Sequence, residues 1–476
     1  MPKSRWIAAL VWFAAFTGSA APPIRLHPKN PHYFEFRGKA VALITSGEHY
    51  GAVINGPFDY RRYLDTLAKD GLNFTRLFGG SYIEVPAQSF GIKRNDLAPE
   101  PGKFIAPWVR TGDKFDLNQW NPEFFQRYRD FLAEAGKRGI VVEVTLFSSH
   151  YQEAHWKLSP FNPANNVNGT NAIDWKELNT LKNGNILGWQ ERYARKLVHE
   201  AGDFDNVTFE IQNEPWSDRG ELASVVNPYL QGPARDRYPN SIDVADKLSM
   251  DWQARVAGWI ASEDGAHGHL IAQNYANFGF PVKELAPEAS VVNFHYAYPR
   301  AVEDNYGLQK AIGYDETGFL GQDDLTYLRQ AWNFMMAGGS TFDALDYSFS
   351  VGHEDGLDAA PNGPGGGSAT LRRELGILSR FLNGLPLTEL RPDRTAVKHA
   401  GGAVARVLTT HSEYAIYLDG DGPVDITLSL PPGSYSGEFV DIVSGAKTPA
   451  AFQAAGEKTI TTAAFHGGIA LRLKRQ

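Results

Sequence analysis

The 476-residue sequence contains no cysteine. Disulfides, thiolate metal sites and a cysteine nucleophile are therefore excluded, and any chemistry must come from oxygen and nitrogen groups. Positive charge is not in excess either: 46 Lys and Arg stand against 54 Asp and Glu, for a net charge of −8. No broad basic surface is implied, so nucleic acid is not an expected partner. A glycine-rich phosphate turn after an early strand is also missing. The glycine run at 361–367 has no Lys-Ser or Lys-Thr behind it and reads as a mobile loop rather than a phosphate cradle. There is one long apolar run, residues 6–16, and it is too short to span a bilayer comfortably. Lys3 and Arg5 precede it and the small residues 17–21 follow it, so residues 1–21 are expected to be a signal peptide. The expected mature protein is exported, periplasmic or secreted, with no stable membrane insertion after cleavage.

What is present in quantity is aromatic surface: 11 Trp, 20 Tyr and 28 Phe, a density suited both to cores and to stacking on sugar rings. The chain also has a rhythm. Short apolar runs alternate with stretches of helical periodicity. The strands fall at 40–45, 73–78, 140–147, 207–211, 270–273, 290–295, 311–316 and 340–346, with helices at 59–69, 122–138, 186–201, 243–262, 323–337 and 371–382. Eight such alternations predict an α/β fold, a (β/α)8 TIM barrel over residues 22–390. From about residue 395 the texture changes to short alternating strands separated by turns such as Asp419-Gly420-Asp421-Gly422, which predicts a small antiparallel β-sandwich over 391–476.

In such a barrel, reactive groups collect at the C-terminal strand ends. Those ends carry Glu48 and His49, Arg76, His150, Asn213 and Glu214, His295 and Tyr296, Glu316, and Asp346. The fourth strand stops at Asn213-Glu214-Pro215, and Pro215 is expected to hold Glu214 extended. Two carboxylates on strands four and seven match the pairing of a retaining glycosidase, where they stand ~5–5.5 Å apart, one protonated and one ionised. Arg76 would keep Glu316 charged, leaving proton transfer to Glu214. Bland readings stand beside these. Arg76 can serve as an interior ion pair with Glu143 or Glu210, and His295 and His150 as core histidines. Glu48 and His49 either bind substrate or cap a loop, and Asp346 either holds a sugar hydroxyl or bridges to Arg76. Trp216, with Trp108, Trp120, Trp156 and Trp175, reads as a sugar platform or a packing anchor. His267-Gly268-His269 has metal-ligand spacing, but it precedes the fifth strand, on the face opposite the carboxylates, so no metal site and no cofactor is expected.

Asn213-Glu214-Pro215, Glu316, Asn73-x-x-Arg76 and His295 together resemble glycoside hydrolase clan A, the barrel superfamily that includes family-five cellulases and mannanases. The resemblance covers roughly residues 30–385. It implies a retaining mechanism with Glu214 as acid/base and Glu316 as nucleophile, Asn213 on the sugar 2-hydroxyl, and Arg76 positioning the nucleophile. His295 and a tyrosine would complete the pocket. Many clan members carry that tyrosine two residues after the histidine, where this chain has Ala297, so Tyr296 or Tyr298 must substitute, with Tyr296 ahead. Asp315 is the rival nucleophile. The expected activity is retaining hydrolysis of a β-linked glucan or related polysaccharide or oligosaccharide. The alternatives are an exo-acting glycosidase on short oligosaccharides or glycoconjugates, and a carbohydrate-binding protein on a catalytically dead barrel.

Overall fold

The computed structural model describes residues 21–224, 241–359 and 362–476. The expected signal peptide lies, but for its last residue, outside them. Eight parallel strands form the barrel: β1 (Leu43–Gly47), β2 (Phe74–Phe78), β3 (Val141–Ser148), β4 (Val207–Asn213), β5 (Leu270–Asn277), β6 (Val291–His295), β7 (Ala311–Glu316) and β8 (Thr341–Leu345). They pair in the order β1-β8-β7-β6-β5-β4-β3-β2. Every residue of these strands is buried, as expected where helices cover a parallel sheet and side chains fill its interior. Seven helices pack outside among the described residues: α1 (Tyr60–Asp70), α2 (Pro122–Lys137), α3 (Ile186–Ala201), α4 (Lys247–Asp264), α5 (Pro299–Asn305), α6 (Asp324–Met335) and α7 (Ala369–Asn383). The β5–β6 connection carries no helix.

Between β1 and β2 the ring is completed by two backbone bonds, from the Asn73 amide to the Ile44 carbonyl (3.2 Å) and from the Phe78 amide to the Tyr50 carbonyl (3.1 Å), together with a side chain. Asn73 donates from Nδ2 to the Ala42 carbonyl (2.9 Å) and accepts from the Ile44 amide at Oδ1 (2.8 Å). Its amide thus stands in for a peptide unit where the two strands diverge. The run expected as one first strand is split at Ala42. Lys39–Val41 belongs to a three-stranded antiparallel sheet with Arg25–His27 and Asn30–Phe36. Ile24, Phe34 and Phe36 of this N-terminal segment pack against Leu43, Phe74, Val141 and Val291 and plug the barrel base.

The C-terminal region is a seven-stranded antiparallel sheet that begins at Arg391–Asp393. It curls because two strands are long, Asp425–Asp441 and Lys447–Thr461, with a register shift between Leu430 and Gly433. The two faces of the expected sandwich are therefore continuous through hydrogen-bonded strands. The sheet sits on the barrel's outer helices: Trp332 of α6 stacks on Tyr417 at 5.4 Å, and Arg329 bonds Asp419 at 2.7 Å. No helix among the described residues is long and apolar enough to cross a membrane.

Candidate active site

The C-terminal strand ends share an unusual backbone feature. Tyr50, Tyr151, Glu214, Phe278 and Tyr296, just past β1, β3, β4, β5 and β6, all have left-handed φ values between 47° and 67°. Each such non-glycine residue costs of order 1–2 kcal/mol, a strain that the surrounding packing must hold in place. Glu214 corrects the expectation of an extended residue before proline: its φ is 47° and ψ 54°. Tertiary hydrogen bonds override the local preference. The Glu214 amide donates to Asn274 Oδ1 (3.1 Å), while its carbonyl accepts from Ser149 Oγ (2.7 Å) and the Ser217 amide (2.9 Å).

This geometry turns the Glu214 carboxylate toward His295, whose Nδ1 lies 3.0 Å from Oε1. The same nitrogen lies 3.5 Å from Glu316 Oε1, and Nε2 lies 3.5 Å from Asp315 Oδ1. An oxygen of Glu214, one of Glu316 and a ring nitrogen of His295 all fall within 4.8 Å of one another. Burial favours a neutral His295 ring, but Glu316 and Asp315 outweigh it and hold its pKa well above the ordinary value. Burial likewise pushes the Glu316 carboxyl up, but His295 and Arg76 prevail and depress it to about 2. Glu316 is thus an anion across the ordinary pH range. It also accepts from the Tyr296 hydroxyl (2.9 Å) and from Arg76 Nη1 (3.3 Å). Tyr298 points elsewhere and packs near Phe278.

Arg76, fully buried on β2, serves both expected readings at once. Besides Glu316 it pairs with Glu210, lies 3.5 Å from Glu143 and 3.6 Å from Asp315, and donates to Asn213 Oδ1 (2.9 Å). Asn213 in turn donates from Nδ2 to the Tyr151 hydroxyl (2.7 Å). Asp315 has no accessible surface and lies beneath His295, whereas Glu316 keeps a little exposure, so only Glu316 meets the mouth. The donor sets Glu210–His295–Asp315 and Glu214–His295–Glu316 have the spacing of a cation site. The Arg76 guanidinium, however, already contacts Glu210, Asp315 and Glu316, balancing the charge an ion would balance.

Other candidates fall elsewhere. Glu48 is buried and spends both oxygens on the Gly51 and Ala52 amides (3.0 and 3.2 Å), so it caps the loop after β1. Asp346 pairs with Arg372 (2.6 Å), not Arg76, and belongs to the wall beneath β8. The His150 ring is buried between Tyr82 and Trp156, at 5.7 and 5.8 Å, and burial lowers its pKa to about 3. Its neighbour Tyr151 meets Asn213 instead. Trp216 stands edge-on to His295 at 5.3 Å. Trp108 stacks on Trp120 at 6.1 Å, a packing pair. His269 is a satisfied core residue between Asp264 and the Phe204 carbonyl. The glycine run expected to be mobile is a tight strap in its described part: side chains at Gly365, Gly366 or Gly367 would collide with Gly318, Tyr327 and Asp346. A surface cleft of about 620 Å³ between α1 and α2 contains none of these groups.

Sequence reasoning named His49 but passed over its partner Glu84 (3.3 Å), Asn274 and the phenylalanines 90 and 319. His49 was legible from its place at the first strand end. Phe90 lies in an aperiodic loop with no local signal.

With two carboxylates on β4 and β7 bridged by a histidine, the fold can be compared with known structures. The chain has the fold of glycoside hydrolases. A structure described as a glycoside hydrolase superposes with a TM-score of 0.63 over 96% of this chain and 97% of its own, at 10% identity. A glycoside hydrolase family 5 protein from Bacteroides vulgatus gives 0.62 over 95% and 93%, also at 10% identity. A family 30 subfamily 8 xylanase from Clostridium acetobutylicum gives 0.50 over 95% and 100%, at 13% identity. No protein-family model and no curated protein matches the chain by sequence. The barrel is thus the architecture that the clan A resemblance implies over roughly residues 30–385, and these structures match the fold over nearly the whole chain.

Proposed function

We propose that the protein is a retaining β-glycoside hydrolase acting on a β-linked glucan or a related polysaccharide or oligosaccharide. The observation that carries this reading is the meeting of Glu214 and Glu316, from strands four and seven, within 4.8 Å at their nearest oxygens and on one histidine. Retaining enzymes hold their carboxyl groups about 5–5.5 Å apart, and inverting ones need roughly 6.5–9.5 Å to admit water.

In the first step Glu316 attacks the anomeric carbon while Glu214 gives its proton to the glycosidic oxygen. The sugar–oxygen bond breaks and the released chain leaves as an alcohol. Glu214 stands 3.0 Å from His295 Nδ1, the nitrogen that also faces Glu316. In the second step Glu214 takes a proton from water, the hydroxide oxygen bonds the anomeric carbon, and the ester to Glu316 breaks. Asn213, steered by Arg76 and Tyr151, is placed to hold the sugar 2-hydroxyl. No cofactor enters this sequence.

The test is hydrolysis of β-glucans, mannans, xylans and aryl β-glycosides by the wild type, Glu214→Ala and Glu316→Ala, with added azide. Azide is expected to rescue Glu214→Ala as a β-glycosyl azide and Glu316→Ala as the α-anomer. Activity surviving Glu316→Ala would move the nucleophile to Asp315. A wild type that retains glycan without cleaving any of the panel would establish a binding protein instead.

A further inference from the structure

We infer that the site is a blind pocket for one non-reducing terminal sugar, closed on the glycone side by an aromatic arch; this rests on the glycosidase reading above. Four rings run edge to face across the barrel mouth. Tyr151 meets Phe90 at 5.0 Å, Phe90 meets Phe319 at 6.4 Å, and Phe319 meets Tyr296 at 6.0 Å. They come from four loops, those after β3, β2, β7 and β6. The ends of the arch are tied to the catalytic set: the Tyr151 hydroxyl accepts from Asn213, and the Tyr296 hydroxyl donates to Glu316. The two central rings are the exposed phenylalanines among the described residues, each 37% accessible. Exposed aromatic faces beside buried carboxylates are suited to the apolar faces of sugars.

The arch is held from behind. The loop after β2 is stapled to the loop after β8: the Lys93 amide donates to the Asn362 carbonyl (2.7 Å), and Asn362 Nδ2 donates to the Arg94 carbonyl (2.9 Å). The β8 loop in turn binds the β7 loop, where the Gly321 amide donates to the Pro364 carbonyl (3.2 Å) and Gly365 leaves no room for a side chain against Gly318. Phe90 has φ 53°, a left-handed conformation for a bulky residue, so its position over the mouth is maintained against local strain. Below the arch, Glu84, Tyr347 and most of His49 are buried, filling the β1–β2–β8 side of the mouth.

Direction follows from the chemistry. The proton donor must stand beside the glycosidic oxygen, so the leaving group extends past Glu214 toward the β4–β6 side. The sugar bonded to Glu316 then lies against the arch, and a second sugar on its non-reducing side would have to pass through Phe90 and Phe319. An internal segment of a polymer cannot thread this site, whereas a chain end can enter it.

The experiment compares reducing-end-tagged β-linked gluco-, manno-, xylo- and galacto-oligosaccharides with the same probes capped at the non-reducing-end hydroxyl. Wild type is expected to release one monosaccharide at a time from uncapped probes and to leave capped ones intact. The Phe90→Ala/Phe319→Ala double variant is expected to cut capped probes internally. Internal cleavage of capped probes by the wild type, or disaccharide as its first product, overturns the blind pocket while leaving the glycosidase reading standing. Cleavage of neither probe set overturns both. Because the wild-type comparison is decisive by itself, misfolding of the double variant does not affect the outcome.

Discussion

Tyr296 is where one residue decides an ambiguity that neighbours in sequence could not. Its left-handed φ of 50° brings the hydroxyl to Glu316, while Tyr298 is carried away by the start of α5. A hydrogen bond to a charged group contributes about 1.5–3 kcal/mol. Tyr296→Phe should therefore lower kcat roughly 10- to 100-fold with the fold intact. Losing a donor that favours the anion must raise the Glu316 pKa, so the acid limb of the kcat/KM profile should move to higher pH. Tyr298→Phe should move neither quantity, and an equal effect of both variants would remove Tyr296 from the site. The azide experiment assigns the two carboxylates at this same scale.

Among the elements, the seam between β1 and β2 carries the sharpest expectation. Asn73 reads in sequence as part of an Asn-x-x-Arg motif tied to the active site, yet its side chain joins its backbone amide in closing the barrel. Asn73→Ala leaves the buried Ile44 amide without its partner, at about 1–3 kcal/mol, while the Ala42 carbonyl keeps its bond from Asn383 Nδ2 (3.2 Å). A loss of about 1–3 kcal/mol in urea denaturation is expected, and a change below about 0.5 kcal/mol would refute the seam role. The long strands and helices were legible because periodicity and capping are local: Asp59 caps α1 and Gly71 ends it in the left-handed conformation, as their residue types suggest. The short α5, the break at Ala42 and the continuity of the 425–441 strand were not legible, because each depends on partners distant in sequence.

For the whole molecule, the buried carboxyls set the response to pH. Burial raises Glu48 and Asp218 to about 7 each, above their unfolded values near 4, so the folded state binds more protons between those limits. Stability must then fall as pH rises toward 7. Burial lowers His32 to about 4 and His150 to about 3, which opposes this trend below pH 6.5 but not above it. Tm is therefore expected to drop between pH 6 and 8, and Asp218→Asn should flatten the slope. A Tm that stays level or rises over that interval would contradict it. The Trp332–Tyr417 stack and the Arg329–Asp419 pair join sheet and barrel across one core, so this transition involves both.

The amino-acid sequence by itself determined the barrel, the trailing antiparallel strands and the strand ends on which chemistry-bearing residues stand. Those follow from periodicity, turn residues and the alternation of element types, which are written over a few neighbouring positions. Tertiary structure alone decided which of those residues face one another. Glu48 and Asp346 share the strand-end signature of Glu214 and Glu316 but are drawn into a loop cap and an Arg372 pair. Phe90 and Phe319, 229 positions apart, meet because their loops are strapped together by a third. Side-chain direction at a left-handed strand end and contact between separate loops are set by long-range packing, and no local pattern encodes them.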